Sequence, residues 1–99
     1  MLNKILKGLG NSSGRLNIPN DLLKFVGIRP GEKIALCEHE DGLKVKPLYA
    51  LQDCKVIAIA KMDSKGRFVY PNELLKEKEE IFFEIYVLNG DLILKELEL

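Results

Sequence analysis

The chain has 99 residues, of which 46% are hydrophobic and 30% charged, with 15 cationic and 15 anionic side chains that cancel to a net charge of zero. That is the composition of one ordinary globular domain, and two independent domains of half this length would each lack a sufficient core without metal or disulfides. The longest apolar run, Val56-Ile57-Ala58-Ile59-Ala60, falls far short of the ~18 residues of a membrane span, and Lys4 and Lys7 interrupt the N-terminal apolar stretch that a signal peptide would keep continuous, so no membrane association and a cytoplasmic location are expected.

Leu2 to Leu9 mixes apolar residues and lysines in the manner of an edge strand, and Gly8, Gly10, Ser12, Ser13 and Gly14 then cluster as a loop. Arg15 to Ile18 reads as a short strand closed by Pro19. Asn20 or Asp21 is available to cap a helix whose apolar stripe is Leu22, Leu23 and Val26, with Gly27 as its stop and Arg29-Pro30-Gly31 as a turn. Ile34, Leu36 and Cys37 mark the next strand. Glu40-Asp41-Gly42 is a hairpin turn, and Leu43 and Val45 alternate with Lys44 and Lys46 on the return strand. The unit is strand, strand, short helix, strand, strand.

Pro47 to Asp53 reads as a linker, after which the same order returns: a strand over Val56 to Lys61, a loop at Asp63 to Gly66, a strand over Arg67 to Tyr70, a helix opened by Pro71-Asn72-Glu73, and a strand over Ile81 to Leu88. Asn89-Gly90 is a strong hairpin signal, because both centre positions of a type I′ turn need positive φ, and Leu92 to Leu97 closes the unit. The second copy lacks the Gly-Ile-Arg-Pro-Gly segment that follows the first helix, so its helix is expected to run more directly into the next strand.

The two halves are an internal repeat. Residues 11–24 and 63–76 align at a constant offset of 52 with eight of fourteen positions identical. Such a repeat predicts one domain over 1–99, with repeat one at 1–48 and repeat two at 54–99, neither closing a core alone. Charge follows the repeat: residues 1–29 sum to +4, 30–54 to −2, 55–76 to +3 and 77–99 to −5. If like segments gather, a neutral molecule acquires a basic face able to hold a polyanion.

Gly-Arg-x-x-x-Pro after a polar loop, followed by a short amphipathic helix and a hairpin, resembles the AbrB/MazE/SpoVT superfamily of swapped-hairpin DNA-binding proteins. Leu9-Gly10-Asn11-Ser12 with Ile18-Pro19 is most similar to the MazE branch, and Asp63-Ser64-Lys65-Gly66-Arg67 to the AbrB and MraZ branches, MraZ also being a tandem arrangement. The resemblance implies a mainly β fold, a swapped-hairpin, double-split β-barrel formed within one chain by two tandem ββαββ repeats, each with one short helix. It also implies a sequence-specific regulator of transcription that binds double-stranded DNA. Carried onto matching positions, its DNA-binding residues are Lys7, Asn11, Ser12, Ser13, Arg15, Lys24 and Arg29 in repeat one, and Lys61, Lys65, Arg67 and Lys76 in repeat two. The residue chemistry agrees, since Arg offers a fork of donors for phosphate or guanine and a Gly-rich loop brings backbone N–H groups close to phosphate. Arg15 and Arg67 also have an alternative as ion-pair partners of an acid such as Asp63. Phe68, Tyr70, Phe82, Phe83 and Tyr86 read as core or barrel surface. Tyr70 stands where the family has an aliphatic residue, and Asn11 where repeat two has Asp63, so the two halves present different surfaces.

Two other functions remain open. An antitoxin would carry a C-terminal segment for a toxin partner, for which a chain ending at Leu99 leaves no room; a protein-interaction or oligomerisation module, as a homo-oligomer, fits the acidic second hairpin. An enzyme is not expected, because His39 is the single histidine, read as an exposed hairpin residue, and no paired nucleophile, metal set or phosphate loop occurs. No cofactor is expected. Cys37 and Cys54, with no further Cys or His at ligand spacing, read as reduced packing residues, a bridge between them or between chains being the alternative.

Overall fold

A computed structural model describes residues 3–9, 15–40, 42–71 and 80–97. Among them the chain runs β1 (Asn3–Leu9), β2 (Arg15–Asn17), α1 (Asn20–Phe25), β3 (Lys33–His39), β4 (Gly42–Pro47), β5 (Val56–Lys61), β6 (Arg67–Val69), β7 (Glu80–Leu88) and β8 (Asp91–Leu97). The helix expected to open at Asn72-Glu73 lies outside the described residues, as do Asn11, Ser12, Ser13, Gly14 and Lys76. The fold is mainly β, with a six-stranded sheet ordered β1-β7-β8-β4-β3-β5 and a two-stranded sheet of β2 and β6. Every pairing is antiparallel. The expected closed barrel is not seen, since β1 and β5 end the larger sheet and the β2–β6 ribbon is a separate sheet.

The order of the strands exposes the symmetry of the repeat. At the centre β4 pairs with its own counterpart β8, placing Leu43 opposite Leu94 and Val45 opposite Leu92. β2 likewise pairs with its counterpart β6, with Leu16 opposite Phe68 on the pseudo-twofold axis. Towards the edges the repeats exchange partners: β1 of repeat one pairs with β7 of repeat two, and β5 of repeat two with β3 of repeat one. Each first strand therefore has its hydrogen-bonding neighbour in the other repeat.

Alternation explains the core. Leu16, Ile34, Leu36, Leu43 and Val45 from repeat one and Phe68, Phe83, Ile85, Leu92 and Leu94 from repeat two are buried in one cluster. Each contributes about 1.5–3 kcal/mol relative to exposure. Leu22 and Leu23 bring α1 onto this cluster, with Val26 packed at its rim. The helix starts without the expected side-chain cap. Pro19 is its N-cap, with no side-chain capping bond, and its carbonyl accepts from the amides of Leu22 and Leu23 at 3.1 and 3.2 Å. Tyr70 is buried in the core, its ring centroid 5.1 Å from that of Phe83. Burial, with a lesser effect of the Glu96 charge, pushes its phenol up to about 12. The β7–β8 hairpin turns on Asn89 and Gly90 at φ 52° and 82°, as the Asn-Gly pair requires.

The cysteines correct the sequence reading, because Cys37 and Cys54 form a disulfide with Cα atoms 5.8 Å apart. The physical reason is the exchange of partners. Pairing β5 with β3 brings Val56 beside Cys37, and the Lys55 carbonyl accepts the Glu38 amide at 2.9 Å, so Cys54 arrives at the same point. The linker leaves β4 at Pro47, opposite Ile34 at one end of β3, and reaches β5 at the other end. It must travel the length of β3. Ala35 and Cys37, which alternate with the core residues Ile34 and Leu36, are buried on the opposite face. His39 is half-buried at the end of β3, and not the exposed turn residue expected.

Two outcomes follow from these pairings. Residues 1–50 expressed alone should be largely unfolded by NMR dispersion and regain structure on mixing with residues 51–99, because β1 and β3 each lose a neighbouring strand. Replacing Cys54 by Ser should cost about 3 kcal/mol in denaturant unfolding, the chain-entropy value for a loop of this length, with the melting temperature lowered correspondingly.

Candidate functional site

The strands that carry the two motif arginines pair with each other. In the β2–β6 ribbon Arg15 lies opposite Val69 and Asn17 opposite Arg67. Leu16 and Phe68 point into the core, so alternation sends Arg15, Asn17, Arg67 and Val69 to the other face. Arg15 and Arg67 thus occupy diagonal corners of one four-residue patch. Arg15, Asn17 and Val69 are exposed and Arg67 is half-buried.

The loop before β6 is built around Asp63. Its carboxylate accepts the amides of Lys65 and Arg67, both at 2.9 Å, and the Arg67 Nε at 2.7 Å. The Arg67 amide above all, with its guanidinium and the Lys65 amide, holds the Asp63 carboxyl below the usual range despite an opposing desolvation. Arg67 is therefore both ion-paired and on the ribbon face. A guanidinium has five N–H donors, and this contact uses the one on Nε. Gly66 is buried with φ 79°; a Cβ there would sit 3.1 Å from both the Ile18 carbonyl and the Leu23 Cδ1. Glycine lets the loop pass this close to repeat one, and its carbonyl accepts the Ile18 amide at 3.0 Å.

Further backbone bonds join this loop to the segment after α1. The Gly31 amide donates to the Asp63 carbonyl at 2.9 Å and the Met62 amide to the Glu32 carbonyl at 3.0 Å. Lys24 and Arg29, both exposed, line an open cleft of about 430 Å³ with Asn20, Gly27, Ile28 and Pro30. The Tyr49 hydroxyl donates to the Gly27 carbonyl at 3.0 Å. Lys24 and Arg29 of repeat one are consequently tied to the element that carries Lys65 and Arg67 of repeat two. The junction between the repeats thus carries cations of both, alongside the carboxylates of Asp63 and Glu32.

Lys7 and Lys61 are placed differently. They lie on the two edge strands, Lys7 opposite Phe82 and Lys61 opposite Lys33. The basic segments also do not form one continuous face: β1 and β5 lie at opposite edges against strands of the acidic segments, and Lys55 pairs with Glu38 at 3.1 Å. Asn17 and Val69 are ribbon positions that the motif comparison passed over. Strict alternation in Arg15-Leu16-Asn17, with Leu16 inward, was the available signal. The chain matches no family model, no curated protein and no solved structure.

The Asp63 geometry sets a pH dependence. A carboxyl depressed on folding favours the folded loop above its unfolded pKa, about 4, and that contribution is lost as pH falls through the lower folded value. Carboxyl NMR titration should give Asp63 a midpoint below 3.8, and Asp63→Ala should restore an exchange-labile amide at Arg67; an ordinary midpoint would break this account.

Proposed function

We propose that this chain is a sequence-specific double-stranded DNA-binding regulator of transcription of the AbrB-like type, its two ββαββ repeats exchanging strands in the swapped-hairpin manner. The observation that carries the reading is the ribbon, on which two copies of a Gly-Arg strand pair about a pseudo-twofold axis. A two-stranded antiparallel ribbon is narrow enough for the DNA major groove, where Arg pairs with guanine and Asn with adenine. Reciprocal exchange of β1 and β5 between repeats supports the swapped-hairpin assignment.

In this reading Arg15 and Asn17 contact base edges, while Arg67, pre-oriented by Asp63, reaches the backbone or a base with its remaining donors. Lys24, Arg29 and Lys65 supply phosphate contacts that fix register. The repeats are not equivalent on this face: repeat one contributes Arg15 and Asn17, whereas repeat two contributes an Arg already paired with Asp63, and Val69. Recognition is therefore expected of an asymmetric site, with repeat one dominant. A protein-interaction module is the second reading, favoured by the apolar Val69, 56% exposed beside Arg15 on the same face.

Selection of genomic fragments with the purified chain, followed by titration of the selected duplex, tests both. Arg15→Ala and Asn17→Ala should each cost about 1–3 kcal/mol in binding with an unchanged melting temperature, and Arg67→Ala should cost less. Affinity should fall with salt, with a log–log slope near −0.9 per phosphate neutralised. No enrichment of duplex, or a double variant at Arg15 and Asn17 that binds unchanged, moves the interaction module ahead.

A further inference from the structure

The bridge between Cys37 and Cys54 fastens a strand whose two halves are held unequally. From Ala58 onward β5 is secured: Ala58 and Ala60 pack against the core, Met62 is fully buried in it, and the Met62 amide donates to the Glu32 carbonyl at 3.0 Å. Before Ala58 the grip is weaker. Leu36 faces Ala58 and Cys37 faces Val56, so Ile57 is the extra residue of a bulge and the ladder to β3 is interrupted there. Val56 and Ile57 are exposed, and as an edge strand β5 has no other neighbour in the sheet. Beyond the Val56 pairing, this end is held by the Glu38 amide on the Lys55 carbonyl at 2.9 Å and by an exposed Lys55–Glu38 ion pair that contributes little. Asp53, just ahead of the bridge, stands at φ 57°, a left-handed conformation that a residue with a Cβ adopts at some cost.

We propose that the bridge is a thiol-operated latch on β5: oxidised, it holds the segment from Asp53 to Ile57 on β3, and reduced, that segment opens while the rest of the fold stays closed. The inference rests on the bridge and this strand and is independent of DNA binding. Cys54 is half-buried and Cys37 is 1% exposed, so an incoming thiolate reaches the Cys54 Sγ and Cys37 is the leaving group. With a dithiol as reductant, the first sulfur forms a mixed disulfide with Cys54 as the Cys37 thiolate departs and takes up a proton. The second sulfur then displaces Cys54, which is protonated in turn; the dithiol is oxidised to its disulfide and both cysteines end as thiols. Opening frees the Glu38 amide and gives the Cys37 thiol a path to solvent. The Asp63 clasp on Arg67 follows the opposite, secured end of β5, so the ribbon keeps its geometry in both states.

Loss of the cross-link also lowers global stability, which accelerates alike all amides that exchange through global unfolding; the latch adds a difference between the two ends of β5. Amide hydrogen exchange by NMR on the full chain, oxidised and then in dithiothreitol, reads that difference. On reduction the exchange rate of the Glu38 amide should rise at least about tenfold more than that of the Met62 amide. The Arg67 amide should keep its protection relative to Met62, and iodoacetamide should alkylate Cys37. Cys54→Ser should show the reduced pattern with or without dithiothreitol, and the reduced wild type decides the matter if that variant fails to fold. Equal acceleration at Glu38 and Met62, no change at Glu38, loss of the folded spectrum on reduction, or a folded Cys54→Ser that keeps the oxidised pattern would overturn the proposal.

Discussion

The exchange of edge strands between the two repeats is the constraint on which the rest of this molecule depends. A β-strand must satisfy its backbone donors and acceptors, and β1 and β5 do so on hairpins that belong to the other half of the chain. Neither half can then adopt this sheet by itself. The cluster that fills the inside draws equally on both halves, so hydrogen bonding and apolar burial enforce the same union.

This union also makes the candidate site. Pairing of β2 with β6 follows the twofold relation of the repeats, and it converts two copies of a short motif, far apart in sequence, into one surface. The backbone bonds from Ile18 to Gly66 and from Gly31 to Asp63 then lock a loop of repeat two onto strand and turn segments of repeat one. Mixed ownership has a consequence for divergence after duplication. Asp63 orders the repeat-two loop and occupies Arg67, while repeat one keeps an exposed Arg15 and gains Asn17, so a symmetric backbone carries an asymmetric set of polar groups.

The disulfide belongs to the same logic. The linker between repeats has to pass along β3 to deliver β5 to its far side, and Cys37–Cys54 fastens the end of that passage next to the Lys55–Glu38 contact. Closing this loop restricts the unfolded chain and so stabilises the fold in which the two cysteines meet.

Local chemistry was readable from the amino-acid order. Alternation marked the strands, Asn89-Gly90 marked a turn whose φ values only such a pair accepts readily, Leu22-Leu23 marked the buried face of α1, and the repeat announced a shared core. These depend on neighbours within a few residues. The helix start at Pro19, the Asp63 clasp on Arg67, the Cys37–Cys54 bond and the buried outer positions Ala35 and Cys37 were not readable, because each depends on which strand lies beside which. Side-chain periodicity tells a strand which face to bury and leaves open which strand will complete its hydrogen bonds. Only the tertiary structure decided that partner, and with it the ribbon and the bridge.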